Sequence, residues 1–242
     1  MKVAVVIGGV ARDYWNHDRA FRMMMGNVEY DLFIYTWDLF EDKEKSCIDI
    51  ITDIGMRYKC PGENKSITRM GNWDTFKEAL QPRVDYYKTF KIPFPKTNLL
   101  TGIFAQHYTM KRAFDMISSP EEYDLIIRYR FDWHPEFIIL WDEIAPLAKK
   151  NLLYSNQKTH GIKGTSWVIN DLFAISNPKN MRVYAGLYDE MLTGRYDKYI
   201  LKNKNIITEY LLVLHLKTNN IPLMPYKFPY KKFIATASKK GK

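Results

Sequence analysis

Three short apolar runs constrain this chain more than anything else in it. Lys2–Gly9 holds Val-Ala-Val-Val-Ile, Tyr30–Trp37 reads Tyr-Asp-Leu-Phe-Ile-Tyr-Thr-Trp, and Tyr123–Trp133 opens Tyr-Asp-Leu-Ile-Ile. Near-continuous hydrophobic runs of this length mark strands buried on both faces, as in parallel sheets covered by helices. Each run also changes character at its C-terminal end. The first stops in Gly8-Gly9, the second in Trp37-Asp38, and the third in Arg128-Tyr129-Arg130-Phe131-Asp132-Trp133. Strand and helix alternate through roughly the first 135 residues and the second half is mixed. The expected fold is therefore α/β, a Rossmann-type open sheet, mostly parallel and flanked by helices.

In the third run, period-two alternation puts Arg128, Arg130 and Asp132 on one face and Tyr129, Phe131 and Trp133 on the other. Charges at the end of a buried strand are costly unless something polar meets them. Ligands of open α/β sheets bind just outside the carboxyl ends of the strands. The functional reading is an anionic ligand, with or without a metal, held by this strand end. The plain reading is an edge strand whose arginines pair with Asp132 or with solvent. The strand by itself leaves both open.

Along the chain, Gly8-Gly9 leads to a helix predicted over Tyr14–Met25, with Asp13 as its cap; Arg12 stands where a side chain could reach a phosphate, and a plain βα turn is the other reading. The turn is not GxGxxG, so a dinucleotide fold is not indicated. Trp37 and Asp38 sit where a base or ribose is held, though Trp37 reads equally well as core. Ser46–Ile54 is predicted as a strand and Asp74–Gln81 as a helix. Leu99–Ser118 is the clearest helix, with Ile103, His107, Met110, Phe114 and Ile117 in one inward stripe and His107 read as a core histidine. Gln157–Thr165, with Gly161 and Gly164, reads as a loop able to cover a site. Ser166–Ser176 is a strand interrupted by Asn170-Asp171, which suggests a bulge or turn presenting Asp171. Asn177-Pro178 starts a helix running to about Leu192. A last helix spans Asn205–Lys217; Glu209 and His215 lie about 240° apart on it, so a regular helix cannot bring both to one site.

The 242 residues suit one domain, set at residues 1–220 with a basic tail at 221–242. The net charge is +9, and six lysines in that tail, with no acid among them, leave the body at +3. This distribution argues against a nucleic-acid binder, whose basic stripe crosses the folded face. A solvated tail is the plain reading of these lysines, and a peripheral hold on anionic lipid the sharper one. Aromatic residues make up 15% of the chain, and such rings line sugar and base sites as well as cores. Two cysteines without metal-ligand spacing point to a reducing compartment. With no signal peptide and no run long enough to span a bilayer, a soluble, cytoplasmic protein is expected.

Five blocks in order carry a resemblance: Val5–Tyr14, Tyr30–Asp38, Tyr123–Asp132, Ile169–Ser176 and Glu209–Leu216. Together they resemble small GT-A-type glycosyltransferases that build surface polysaccharides and glycans in bacteria and large DNA viruses. The resemblance implies a sugar transferred from a nucleotide-diphosphate donor, UDP-sugar favoured, to a hydroxyl of a glycan or of a lipid- or protein-linked acceptor. For a viral relative, that would take place in the host cytoplasm. Gly8, Gly9 and Arg12 would hold the nucleotide, with Trp37 and Asp38 beside the base or ribose. Asp132 would stand for the last acid of the family's metal-binding DxD, with Mn²⁺ or Mg²⁺ as the cation. Here arginine, in Arg130-Phe131-Asp132, replaces the first acid. Arg128 or Arg130 would then take over part of the neutralisation of the diphosphate. Asp171 is the first choice for general base and Glu209 the second. The alternative is a non-catalytic nucleotide-sugar or glycan binding module on the same scaffold.

Overall fold

The computed structural model describes residues 1–11, 14–39, 46–60, 64–90, 97–147, 150–157, 169–203, 208–224 and 230–232. The elements in chain order are β1 (Val3–Gly8), α1 (Tyr14–Met25), β2 (Tyr30–Trp37), α2 (Cys47–Tyr58), β3 (Ser66–Gly71), α3 (Trp73–Thr89), α4 (Thr97–Phe114), β4 (Leu125–Tyr129) and β5 (Phe137–Ile139). There follow α5 (Trp141–Ile144), β6 (Leu153–Gln157), β7 (Ile169–Ser176), α6 (Pro178–Ala185), α7 (Leu187–Leu192), α8 (Asp197–Asn203), α9 (Thr208–Thr218), β8 (Leu223–Met224) and β9 (Tyr230–Lys232). Among the described residues, seven strands make one sheet in the order β3-β2-β1-β4-β7-β6-β8, and β5 pairs with β9 apart from it. Within the large sheet β3, β2, β1 and β4 are parallel, and β7 runs antiparallel to both β4 and β6. The α/β class and the mostly parallel, helix-flanked sheet are as the apolar runs require.

The sheet divides the core in two. On β1, Ala4 and Val6 face one cluster with residues of α3, α4, α6 and α9, while Val3, Val5 and Ile7 face another with residues of α1 and α2. Crossovers between parallel strands are right-handed, so a chain stepping outward from β1 to β3 and then back past β1 to β4 must place its helices on opposite faces. That reversal makes a topological switch point between β1 and β4, where an open sheet leaves a crevice at its carboxyl edge. Gly8 serves the packing. A Cβ there would stand 2.7 Å from the Met110 backbone nitrogen, so the missing side chain lets α4 lie against β1.

Several elements depart from expectation for identifiable reasons. The segment predicted as a strand over Ser46–Ile54 begins α2. Ser46 accepts from the Asp49 backbone N–H while Asp49 reaches back to the Ser46 N–H, a capping box, and Ile50, Ile54 and Tyr58 form one buried stripe. Helix α3 continues past Pro82 to Thr89, because Phe76, Leu80, Val84 and Tyr87 keep burying one face. The helix expected to Leu192 is broken at Gly186 into α6 and α7. Within the segment set apart as a tail, Leu223–Met224 pairs with β6 and Tyr230–Lys232 with β5. Arg12, residues 158–165 of the expected covering loop, and tail residues 233–242 lie outside the described residues. No helix among the described residues is long and apolar enough to cross a membrane.

Candidate functional site

A cleft of about 320 Å³ opens at the carboxyl ends of β1 to β4. Gly9 and Val10 line it after β1, Trp37 and Leu39 at the end of β2, Trp73 at the start of α3, and Arg130 and Asp132 after β4. Helix α4 supplies the remaining wall through Gly102, Ala105 and Gln106. This is the switch point of the sheet, and the volume is at the lower end of the roughly 300–1,000 Å³ usual for ligand clefts.

The β1 corner is shaped by backbone. Gly9 has φ +141°, which L side chains rarely adopt, and a Cβ added there would meet nothing within 4 Å. It therefore leaves the cleft floor open to a ligand. The Ala11 backbone N–H donates to the Thr36 hydroxyl at 3.2 Å, tying this turn to β2.

The β2 corner is aromatic. Trp37 stacks on Tyr108 with ring centroids 5.3 Å apart and planes 15° from parallel, and it meets Trp73 at 5.2 Å and Phe76 at 4.7 Å. Trp37 is buried, so half-buried Trp73 presents the more accessible ring. Asp38 accepts from the Trp73 backbone N–H at 2.8 Å and from the Asn72 side-chain amide at 2.7 Å. Asn72 in turn caps α3 by accepting from the Thr75 N–H. Asp38 thus secures the first turn of α3, where a carboxylate also suits the helix dipole, and it is not among the residues lining the cleft.

The β4 corner carries the charge. Arg130 Nε donates to Asp132 Oδ1 at 2.8 Å and Nη2 to Asp132 Oδ2; Nη1 donates to Asp171 Oδ2 at 2.7 Å and to Gln106 Oε1 at 3.1 Å. The Gln106 amide also donates to Asp171 Oδ2. Burial opposes the Arg130 charge, but Asp171 and Asp132 outweigh it and raise the guanidinium pKa. Burial likewise opposes the Asp132 charge, and the bonds from Arg130 overcome it and lower the carboxyl pKa. Asp171 reaches this end of the sheet because β7 is antiparallel to β4, which brings its first residues beside the carboxyl end of β4. The pairing of β6 with β7 shifts register between Ser155 and Gln157, opposite the stretch with Asn170 and Asp171, as the interrupted pattern suggested.

Behind this corner lies a buried polar group. Arg128 is 1% exposed, donates from Nη1 to the Leu172 carbonyl at 3.3 Å and has no partner at Nε among the described residues. His107 is also buried and has no partner at Nε2 among the described residues. Burial, only partly offset by Asp171, pushes the His107 imidazolium down to about 3, so the ring is neutral near pH 7. Tyr184 lies beside Arg128, and burial pushes its phenol up to about 12.

Of the residues anticipated from sequence, the cleft thus gathers Gly9, Trp37, Arg130 and Asp132, with Asp171 bonded to its rim. Gly8 packs against α4, Asp38 against α3, and Arg128 sits behind the cleft rather than in it. Glu209 is half-buried on α9 and is not among the lining residues. Trp73 and Gln106 were not anticipated. The signal for Gln106 was the face of α4 beside the apolar stripe, where Gly102, Ala105 and Gln106 fall at i, i+3 and i+4 with small and polar side chains.

A divalent cation does not suit these residues. Both Asp132 oxygens bond to Arg130, and the guanidinium that joins Asp132 to Asp171 would repel a cation placed between them. Among the described residues no group of three or more His, Cys, Asp or Glu is placed to hold a metal. No protein-family model matches the chain, and no curated protein matches it.

Proposed function

We propose that the chain is a nucleotide-sugar glycosyltransferase, UDP-sugar favoured, which moves a sugar to a hydroxyl of a glycan or related acceptor. The observation that carries this reading is the Arg130 fork on the lip of the switch-point cleft, bonded to a buried carboxylate, Asp171. A planar guanidinium matches phosphate as well as carboxylate geometry, and a leaving diphosphate develops charge that such donors stabilise. The Trp73 ring and the open Gly9 turn supply an apolar wall and close backbone approach for the nucleoside. Asp171 has one oxygen, Oδ2, anchored by Arg130 and Gln106. Its second oxygen takes the role of base toward the acceptor hydroxyl if transfer inverts the sugar. No step is assigned to a metal, because the donor set does not form a site for one.

Transfer assays with UDP-, GDP- and dTDP-sugars test the reading. Asp171→Asn keeps the shape and can accept the same hydrogen bonds, so it is expected to keep the fold at reduced stability and to lower transfer by at least about a hundredfold, the scale of general-base catalysis. Full activity of this variant with a confirmed donor would show the assignment to be wrong.

One observation favours the second reading, a binding module without catalysis: both acids of the site are already engaged by one arginine. A binder raises the melting temperature when nucleotide is added, by mass action on the folded state, yet releases no nucleoside diphosphate from a nucleotide sugar.

A further inference from the structure

We propose that Asp132 is an internal stand-in for the ligand's anionic group, occupying the fork of Arg130 until a phosphate displaces it. This rests on the reading that the cleft receives a nucleoside diphosphate. Three features carry it. The first is geometry: Asp132 takes Nε and Nη2 together, the two-pronged edge with which arginine holds phosphate or carboxylate. Asp132 and Arg130 both line the cleft, so that edge faces the space a ligand enters.

The second is asymmetry. The Asp171 side chain is 8% exposed and is braced by Gln106, whereas the Asp132 side chain is 49% exposed and lies on the turn that follows β4. A half-exposed pair is weak because water competes for both partners, and a buried one resists separation. An arriving anion therefore breaks the Asp132 side and leaves Arg130 anchored on Asp171 and Gln106, already aimed. The third is charge. Arg128 and Arg130 balance Asp132 and Asp171, so the corner is neutral while Asp132 is docked and positive by one unit once it swings away. The cleft becomes attractive to an anion by the same movement that clears room for it.

This role has the opposite sign from a metal ligand's. Removing a metal carboxylate weakens diphosphate binding; removing an internal competitor strengthens it, because the ligand no longer has to displace it. Calorimetric titration of UDP, GDP, dTDP and inorganic pyrophosphate, in EDTA and in Mn²⁺, reads that sign for wild type, Asp132→Ala, Arg130→Gln and the double variant. Asp132→Ala is expected to bind about fivefold tighter in EDTA, the scale of a half-exposed ion pair. Arg130→Gln is expected to bind at least about tenfold weaker, the scale of a charge-assisted hydrogen bond. The double variant should then gain nothing over Arg130→Gln, since the gain depends on the fork. Unchanged or weaker binding by Asp132→Ala, weakening confined to the Mn²⁺ arm, or a gain that survives without Arg130 overturns the inference while the nucleotide reading stands. Failure of all four probes to bind either wild type or Asp132→Ala overturns both.

Discussion

The carboxyl ends of β2 and β4 look alike as sequence and are used differently. Each is an apolar run that finishes in aromatic and charged residues. At β2 the carboxylate, Asp38, is consumed by its neighbour: it holds the Trp73 N–H and the Asn72 amide at the first turn of α3. At β4 the charges meet no such helix end. The next strand pair, β5–β9, lies outside the large sheet, and the partners of Arg130 come from the following turn, from α4 and from β7. The difference follows from position. Strand β2 is inside the run of outward steps, where the start of α3 takes up its carboxylate while Trp37 and Leu39 still line the cleft. Strand β4 borders the switch point, where successive connections diverge and leave the end uncovered. A polar strand end in an α/β sheet thus marks a ligand site only where the topology leaves it without an internal duty.

The largest expected consequence is in stability. Asp171→Ala leaves buried Arg128 and half-buried Arg130 short of compensating charge and should cost about 3 kcal/mol in urea denaturation. In the same assay Arg128→Met should cost less, because it removes an unpartnered buried Nε and leaves Asp171 bonded to Arg130. If Asp171→Ala costs no more than the loss of Asp38, the two strand ends are equivalent and the distinction collapses.

A second, smaller effect comes from His107, which faces Asp171, Arg128, Arg130 and His215. The folded protein keeps this ring neutral down to about pH 3, while the unfolded chain takes a proton below its ordinary 6.5. The unfolded state therefore binds more protons across that window, and stability rises with pH. Stability should therefore fall as the pH drops from 6.5 toward 3. His215, also lowered by burial, adds to the slope in the same direction. Denaturation at pH 4, 5 and 7 should show His107→Leu with a flatter slope than wild type; an unchanged slope would mean that water reaches the ring.

The smallest effect sharpens the β2 side. Asp38→Ala should cost about 1 kcal/mol through the freed turn of α3. It should leave the affinity for nucleoside diphosphates unchanged. A tenfold weaker Kd in this variant would return Asp38 to the ligand and erase the contrast.

Legibility from sequence tracked how local the cause was. The buried strands were readable because four or five consecutive apolar residues admit few other solutions, and α4 was readable from its stripe. Helix α2 was missed because four isoleucines between Ser46 and Ile54 suggest a strand, although Ser46 and Asp49 carry the reciprocal cap that starts a helix. Gly8 and Gly9 looked equivalent, and only the approach of α4, a helix a hundred residues away, separates a packing glycine from one that lines a cleft.

By itself the sequence determined the α/β class, the buried strands and the short list of polar residues at their ends, because burial and backbone hydrogen bonding act over a few neighbouring residues. Tertiary structure alone decided which of those polar residues face open space. Arg128 went inward while Arg130 reached the cleft, because β4 ends between them and α4 and α6 cover the first. Asp171 joined Arg130 only because β7 runs antiparallel to β4, a choice of strand direction that no local pattern encodes. Ion pairs across forty residues depend on that direction, and so does the chemistry open to the site.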